Sequence, residues 1–190
     1  MKDAIKRLVD VLVAGAALVA LAIPLAALAA LVRATSKGPA IHWSKRVGRG
    51  GRLFLMPKFR TMRIDTPQVA THLMSDPDRW LTPVGGLLRR TSLDELPQLW
   101  SVLVGQMSLV GPRPALFNQD DLVALRAEAG VDALRPGLTG WAQVNGRDEL
   151  PIVEKVRLDR EYLHRRGLLF DLRIMMMTLF KVARRQDVRF

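Results

Sequence analysis

Residues 11–32, VLVAGAALVALAIPLAALAALV, carry no charge, and as a helix they are long enough to span roughly 30 Å of hydrocarbon. Such a run must either be retained in a membrane or be removed as a signal. Lys2, Lys6 and Arg7 ahead of it resemble the basic n-region of a secretory signal, and small residues are plentiful. The run is longer than an ordinary signal core, however, and the residues that follow are densely basic, which opposes export. A retained membrane segment is the expectation.

Its topology turns on the flanks. Lys or Arg stand at 33, 37, 45, 46, 49, 52, 58, 60 and 63, with no Asp or Glu between Arg33 and Arg63. Cytoplasmic flanks of membrane helices are rich in such residues, so a straight span strands one basic flank outside. Pro24 offers another solution. It removes a backbone hydrogen bond near the middle of the run and can bend the helix, so that both ends return to one leaflet. A simple anchor with a tolerated proline is the alternative, and residue physics leaves the two open.

The 190 residues suffice for one domain with a core and an appendage. A formal charge of +11 asks for an anionic partner: nucleic acid, anionic lipid or a phosphorylated substrate. A basic, membrane-tethered binding protein for anionic lipid or RNA is therefore one reading of residues 33–63. With no cysteine, disulfides, thiolate nucleophiles and Cys-bound zinc are excluded. GGLLRRTS lacks the ending of a phosphate-binding P-loop, and GRGGR is no dinucleotide fingerprint. His42, His72 and His164 are too scattered for a metal motif.

TSLDELPQLW (91–100) sets Asp94 beside Glu95. Ser92 and Glu95 fit a capping box, and acidic residues suit the positive end of a helix. With Ser92 as N-cap, Pro97 falls inside the helix; with Asp94 as N-cap it falls harmlessly in the first turn. Both registers put two carboxylates at a helix N-terminus, as caps or as chemistry. Leu93, Leu96, Leu99, Trp100 and Leu103 predict an apolar helix over 93–104 that stops at Gly105.

Elsewhere, 52–62 reads as extended structure interrupted at Pro57, with Lys58 and Arg60 on one face and Phe59 on the other. Those two cations are either a phosphate clamp or a solvated face. Pro112 and Pro114 stiffen a turn around Arg113, which suits phosphate recognition or a plain connector. Asn118 is expected to cap a short helix ending at Gly130, and Asn145-Gly146 suits a tight hairpin. Pro151 starts a helix ending near Gly167, with Ile152, Val156, Asp159 and Leu163 on one face. An Asp on an apolar stripe must be paired or liganded, so Asp159 is a structural ion pair or a site residue. Residues 168–185 are apolar nearly all round and can lie in a membrane interface or in the core.

Taken in order, KRLVD (6–10), the proline-broken run, PKFRTM (57–62), TSLDELPQLWSVLVGQMSLVGPRP (91–114), RPGLTGWAQVNGR (135–147) and Asp159-x-x-Tyr162 closely resemble the bacterial sugar transferases called monotopic phosphoglycosyl transferases, over essentially the whole chain. The resemblance implies a predominantly α fold with small β-hairpin elements. It implies a re-entrant helix-break-helix at residues 1–34, interfacial amphipathic helices, and a catalytic domain at 35–190 on the cytoplasmic face of the inner membrane. It also implies the minimal form, without a further multi-span domain. The activity implied is transfer of a sugar 1-phosphate from a nucleoside diphosphate sugar, usually a UDP-sugar, to undecaprenyl phosphate, with release of UMP. In that reading Asp94 is the nucleophile, taking the phosphosugar covalently, and Glu95 helps to hold Mg²⁺. Lys58, Arg60, Arg113 and Arg147 are the candidate phosphate contacts, with Asp159 a further substrate-binding candidate. Partners are then the UDP-sugar, the polyprenol phosphate and membrane lipid rather than nucleic acid, with a homo-oligomer left open. The family often has Ser before its membrane proline; here the residue is Ile23, which offers no hydroxyl to freed carbonyls.

Overall fold

The apolar run folds as two helices, α1 (Lys2–Ala20) and α2 (Ala22–Thr35), bent by 63° where they meet at Leu21. The cause is local. Pro24 has no N–H to offer the Ala20 carbonyl, and its ring crowds that oxygen. Around the break, Leu21 and Leu25 keep their bonds to the Ala17 and Leu21 carbonyls, at 2.9 and 2.8 Å. The computed structural model describes residues 2–67, 76, 78–146 and 150–183. Among these no single helix is long and apolar enough to cross a membrane, and only the bent pair qualifies, by length and composition.

The start of α1 is more than a basic flank. Arg7 donates to the Val102 and Leu103 carbonyls at 2.6 and 2.8 Å, Asp10 accepts the Leu109 N–H at 3.2 Å, and Lys6 pairs with Asp171 at 2.7 Å. Spacing of three and four residues puts these groups on one face. Two of the cations that read as topology signals are thus internal anchors. Farther along, Ala14 enters the main core with Met56, Val102, Val110, Tyr162 and Ile174. Val32 near the end of α2 packs with Phe59 and Leu88 in a second core.

Next comes an antiparallel hairpin of β1 (Ile41–Val47) and β2 (Leu53–Phe59), with His42 opposite Lys58 and Trp43 opposite Pro57. Pro57 does not interrupt the strand. In a two-stranded sheet each strand has an open edge, where a residue without an N–H is tolerated. A short helix, α3 (Gly85–Arg90), leads to a 3₁₀ segment at Leu93–Gln98 and then α4 (Leu99–Leu103). The expected continuous helix over 93–104 is split because Pro97 sits inside it and its first six residues wind more tightly.

The second sheet pairs β3 (Ser108–Val110) with β4 (Gly137–Thr139) in parallel. Between them lies α5 (Asp120–Glu128), whose N-cap position is Gln119 rather than Asn118 and makes no side-chain capping bond; the Gln119 side chain instead turns back to accept the Leu116 N–H at 2.8 Å. As expected, Gly130 ends this region in the left-handed conformation, at φ +70°. Asn145-Gly146 makes no hairpin, because the residues before it coil into α6 (Trp141–Val144). There the Asn145 amide donates to the Trp141 carbonyl at 2.7 Å. α7 (Ile152–Arg165) and α8 (Leu168–Ala183) complete the fold. α8 serves two environments: Asp171 and Ile174 are buried, while Leu169, Leu172, Met176 and Leu179 are exposed along the opposite side. Among the described residues the chain is thus mostly helical with two small sheets.

Candidate active site

The 3₁₀ segment forms the centre. Ser92, just before it, has left-handed backbone angles (φ 55°, ψ 17°) and makes no capping hydrogen bond through its side chain. The capping box therefore does not form. Nor does so short a tight turn provide the helix macrodipole expected from the sequence. What the turn does is place Asp94, 7% exposed, beside a Glu95 that faces two cations.

Those cations come from different elements. Lys58 on β2 donates to Glu95 Oε1 at 2.9 Å, and Arg113, just after β3, reaches the same oxygen at 3.1 Å. Burial pushes the Glu95 carboxyl upward, but Lys58 and Arg113 pull harder and hold it well below the ordinary carboxylate range. Asp94 goes the other way. Burial, helped by the Glu95 charge and opposed by Lys58, pushes it up to about 6. Burial likewise lowers Lys58, against the pull of Glu95. Two neighbouring carboxylates are thus set apart: one stays ionised through its cations, and the other titrates just below neutrality. The Asp94 side chain takes part in no hydrogen bond among the described residues. Its lone pairs remain available for chemistry.

The turn carrying Arg113 is fixed from both sides. Gly111 donates to the Thr139 carbonyl at 2.9 Å, and Gly137 to the Pro112 carbonyl at 2.8 Å. A Cβ on Gly111 would lie 2.4 Å from the Arg135 carbonyl oxygen, so only glycine fits this approach. From behind, Arg126 on α5 donates to the Arg113 carbonyl at 2.7 Å and grips Asp159 Oδ2 at 2.9 and 2.6 Å. Asp159 is only 1% exposed. It reaches the carboxylate pair through Arg126 and the Arg113 backbone, so the ion-pair reading describes its geometry.

Arg60 is not beside Lys58. β2 ends at Phe59, so the alternation that would align the two side chains stops one residue early. The buried Arg60 guanidinium turns to the end of α2, donating to the Ser36 carbonyl and hydroxyl at 3.0 and 2.8 Å. Arg147 lies outside the described residues. The sequence reading missed three cations. Arg46 on β1 bonds the Pro114 carbonyl at 3.2 Å, Arg89 bonds the Thr61 hydroxyl at 3.0 Å and draws on the Asp94 charge, and Arg126 is described above. The register of β1 against β2 puts Arg46 on the Lys58 side of the hairpin. That register is invisible in the sequence alone.

No grouping of three or more His, Cys, Asp or Glu suited to a metal exists among the described residues. Mg²⁺ does not need one. It is commonly held by one or two carboxylates together with substrate phosphate oxygens and water. Hard, adjacent oxygen donors at Asp94 and Glu95 fit that requirement.

A strand lysine and a stiffened arginine around a buried Asp-Glu pair are a charge pattern suited to phosphorylated groups. Residues 1–185 match the family described as bacterial sugar transferase, and the chain belongs to it. It is 46% identical to the UDP-glucose:undecaprenyl-phosphate glucose-1-phosphate transferase of Caulobacter vibrioides, over 93% of this chain and 69% of that protein. To the Escherichia coli K12 protein of the same name it is 38% identical over 93% of this chain. To the exopolysaccharide production protein ExoY of Sinorhizobium fredii it is 36% identical, over 92% of this chain and 83% of that protein. The chain spans about two fifths of the length of the Escherichia coli and Xanthomonas campestris relatives, at 40% and 38%.

Proposed function

We propose that the chain transfers a sugar 1-phosphate from a UDP-sugar to undecaprenyl phosphate, releasing UMP, as a first membrane step of glycoconjugate or exopolysaccharide assembly. One observation carries this reading: a buried Asp94 carboxylate without hydrogen bonds among the described residues stands beside a Glu95 held ionised by Lys58 and Arg113. The names of two relatives point to the same substrates, and that of a third to exopolysaccharide production.

In the first step an Asp94 carboxylate oxygen attacks the phosphorus that bears the sugar. The bond from that phosphorus to the bridging oxygen breaks, its electron pair stays on the oxygen, and UMP leaves. In the second step an oxygen of the lipid phosphate attacks the aspartyl phosphosugar. The phosphorus–Asp94 bond breaks, which restores the carboxylate and yields the lipid diphosphate sugar. Near neutral pH an Asp94 titrating at about 6 is mostly ionised, as a nucleophile must be. Lys58 and Arg113 compensate the like charge that the attacking carboxylate meets. Mg²⁺, held by Glu95 and Asp94, would neutralise diphosphate charge when bound. Arg126, held by Asp159, positions Arg113 through its backbone carbonyl. Arg60 ties the end of α2 to β2, two residues from Lys58.

The bent pair lies in the cytoplasmic leaflet of the inner membrane with both ends on one side. Its uncharged arms, residues 11–20 and 22–32, are about 15 Å long each. Inclined equally across a 63° bend, they carry the apex only about 8 Å below the surface, a depth typical of interfacial helices. Val19 and Ile23 at that apex are 79% and 84% exposed, as lipid-facing residues are. The exposed stripe of α8 lies in the same interface. The test is a panel of UDP-sugars with undecaprenyl phosphate and Mg²⁺, reading UMP. Multiple-turnover UMP release that needs both lipid and one sugar supports the reading, and no release from any UDP-sugar overturns it.

A further inference from the structure

Behind Arg113 lies a cavity of about 280 Å³ to which the transfer chemistry gives no role. Pro112 and Pro114, the residues on either side of Arg113, line it, and Val131 adds a further apolar wall. Its rim includes Gly50 and Gly51, both left-handed, with no atom within 4 Å of where a Cβ would sit. That side of the cavity is low and open. Two charged groups line the interior, Arg126 and Asp132. Three of the five N–H donors of Arg126 are used by Asp159 and the Arg113 carbonyl. Asp132 has no hydrogen-bond partner among the described residues.

Size, shape and chemistry narrow the occupant. Ligand pockets for whole small molecules run from about 300 to 1,000 Å³, so this one suits a single ring system and not a complete nucleotide sugar. Proline and valine walls suit the faces of a flat heterocycle. A carboxylate only accepts hydrogen bonds. It therefore selects a ring that presents an N–H and rejects one that presents a bare ring nitrogen in the same place. Position agrees as well. The Arg113 guanidinium is at Glu95 while its backbone runs between two cavity-lining prolines. One arginine side chain thus separates the charged site from the cavity, much as a ribose separates phosphate from base. We propose that this cavity is the nucleobase subsite, taking a pyrimidine with an imide N–H that Asp132 accepts while Arg126 donates to a ring carbonyl. This inference rests on the nucleotide-sugar reading above.

The experiment measures UMP, CMP and ribose 5-phosphate binding to the full chain in detergent by titration calorimetry. Wild type should prefer UMP to CMP by about tenfold or more, the effect of one charge-assisted hydrogen bond. Asp132→Ala should weaken UMP by a similar factor and erase the preference, while ribose 5-phosphate affinity, which also reports an intact fold, stays unchanged. Ala127→Trp, at an exposed lining position, should block UMP and spare ribose 5-phosphate. Equal binding of UMP and CMP by wild type, no UMP binding, or unchanged UMP affinity in Ala127→Trp would each overturn the subsite. If UMP release from UDP-sugar persists with an unaltered KM in both variants, the subsite fails while the transferase reading stands. If no UDP-sugar supports release, the transferase reading fails, and UMP binding that depends on Asp132 still supports the subsite.

Discussion

Arg126 and Asp159 form an ion pair 2.6 Å apart, with side chains 11% and 1% exposed. Asp159→Asn or Arg126→Met removes one partner and leaves the other charge stranded, at a cost of about 3–5 kcal/mol. For a chain of this length that is a fall of roughly 6–20 °C in melting temperature. Replacing both at once, Arg126→Met with Asp159→Leu, behaves differently, since exchanging a buried pair for apolar side chains is neutral or stabilising by about 1–4 kcal/mol. The direction of the Asp159 shift agrees. Burial raises its pKa despite Arg126, so the stability conferred by its protonated form is complete below the unfolded value and is lost as pH rises through the folded one. Against this, the Arg113 carbonyl loses its 2.7 Å bond from Arg126, worth about 1–3 kcal/mol if it is left unsatisfied. The double variant should accordingly melt within a few degrees of wild type, and both single variants well below it. Turnover should stay depressed in both variants that lack Arg126, because Arg113 has lost its rear anchor. Differential scanning fluorimetry with parallel UMP-release assays reads both quantities. Losses that simply add in the double variant would refute the pairing, and full turnover in a stable double variant would refute the positioning role.

The carboxylates yield two further predictions and the bend a third. Because Asp94 must be ionised to attack, kcat/KM should rise with pH through about 6; Glu95→Gln removes the neighbouring charge that raises Asp94, so its residual activity should titrate lower, and a limb that stays in place would contradict the coupling. The same raised pKa makes ionised Asp94 a liability above pH 6, so Asp94→Asn should be more stable than wild type at pH 7.5 by up to about 3 kcal/mol, with the gain vanishing near pH 4; a destabilised Asn variant would show that the carboxylate supports the fold. Cysteines introduced at Lys2 and Lys37 should both be labelled only from the cytoplasmic side, and Pro24→Leu, which restores the bond to Ala20, should move a fraction of molecules to a spanning form; labelling of either wild-type end from outside would exclude re-entry.

What could be read in the sequence was local. The proline break, the Gly130 stop, the helix after Pro151 and the rigid Arg113 turn all follow from one or two residues acting on neighbouring backbone. Reading failed where partners distant in sequence decide. Asn145-Gly146 has hairpin chemistry, yet β4 pairs with β3, some thirty positions upstream, and the intervening residues coil. The Lys58–Arg60 alternation was sound until the strand ended. Arg126 gave no signal because its partner Asp159 is 33 residues away. The Ser92–Glu95 capping pattern was misleading for the same reason: Lys58 and Arg113, from distant parts of the chain, claim Glu95.

Asp94 should become covalently loaded, and intact-protein mass spectrometry reads that loading without an indirect step. The full chain is incubated with its UDP-sugar and Mg²⁺ in the absence of lipid acceptor, then quenched in acid. The mass should rise by one phosphosugar, the increment should map to the peptide carrying Asp94, and undecaprenyl phosphate should discharge it. Asp94→Asn, whose amide is a poor nucleophile, should show no increment while remaining folded. An unmodified wild-type chain that still releases UMP when lipid is added, or an Asp94→Asn variant with near-normal UMP release, would contradict the covalent mechanism.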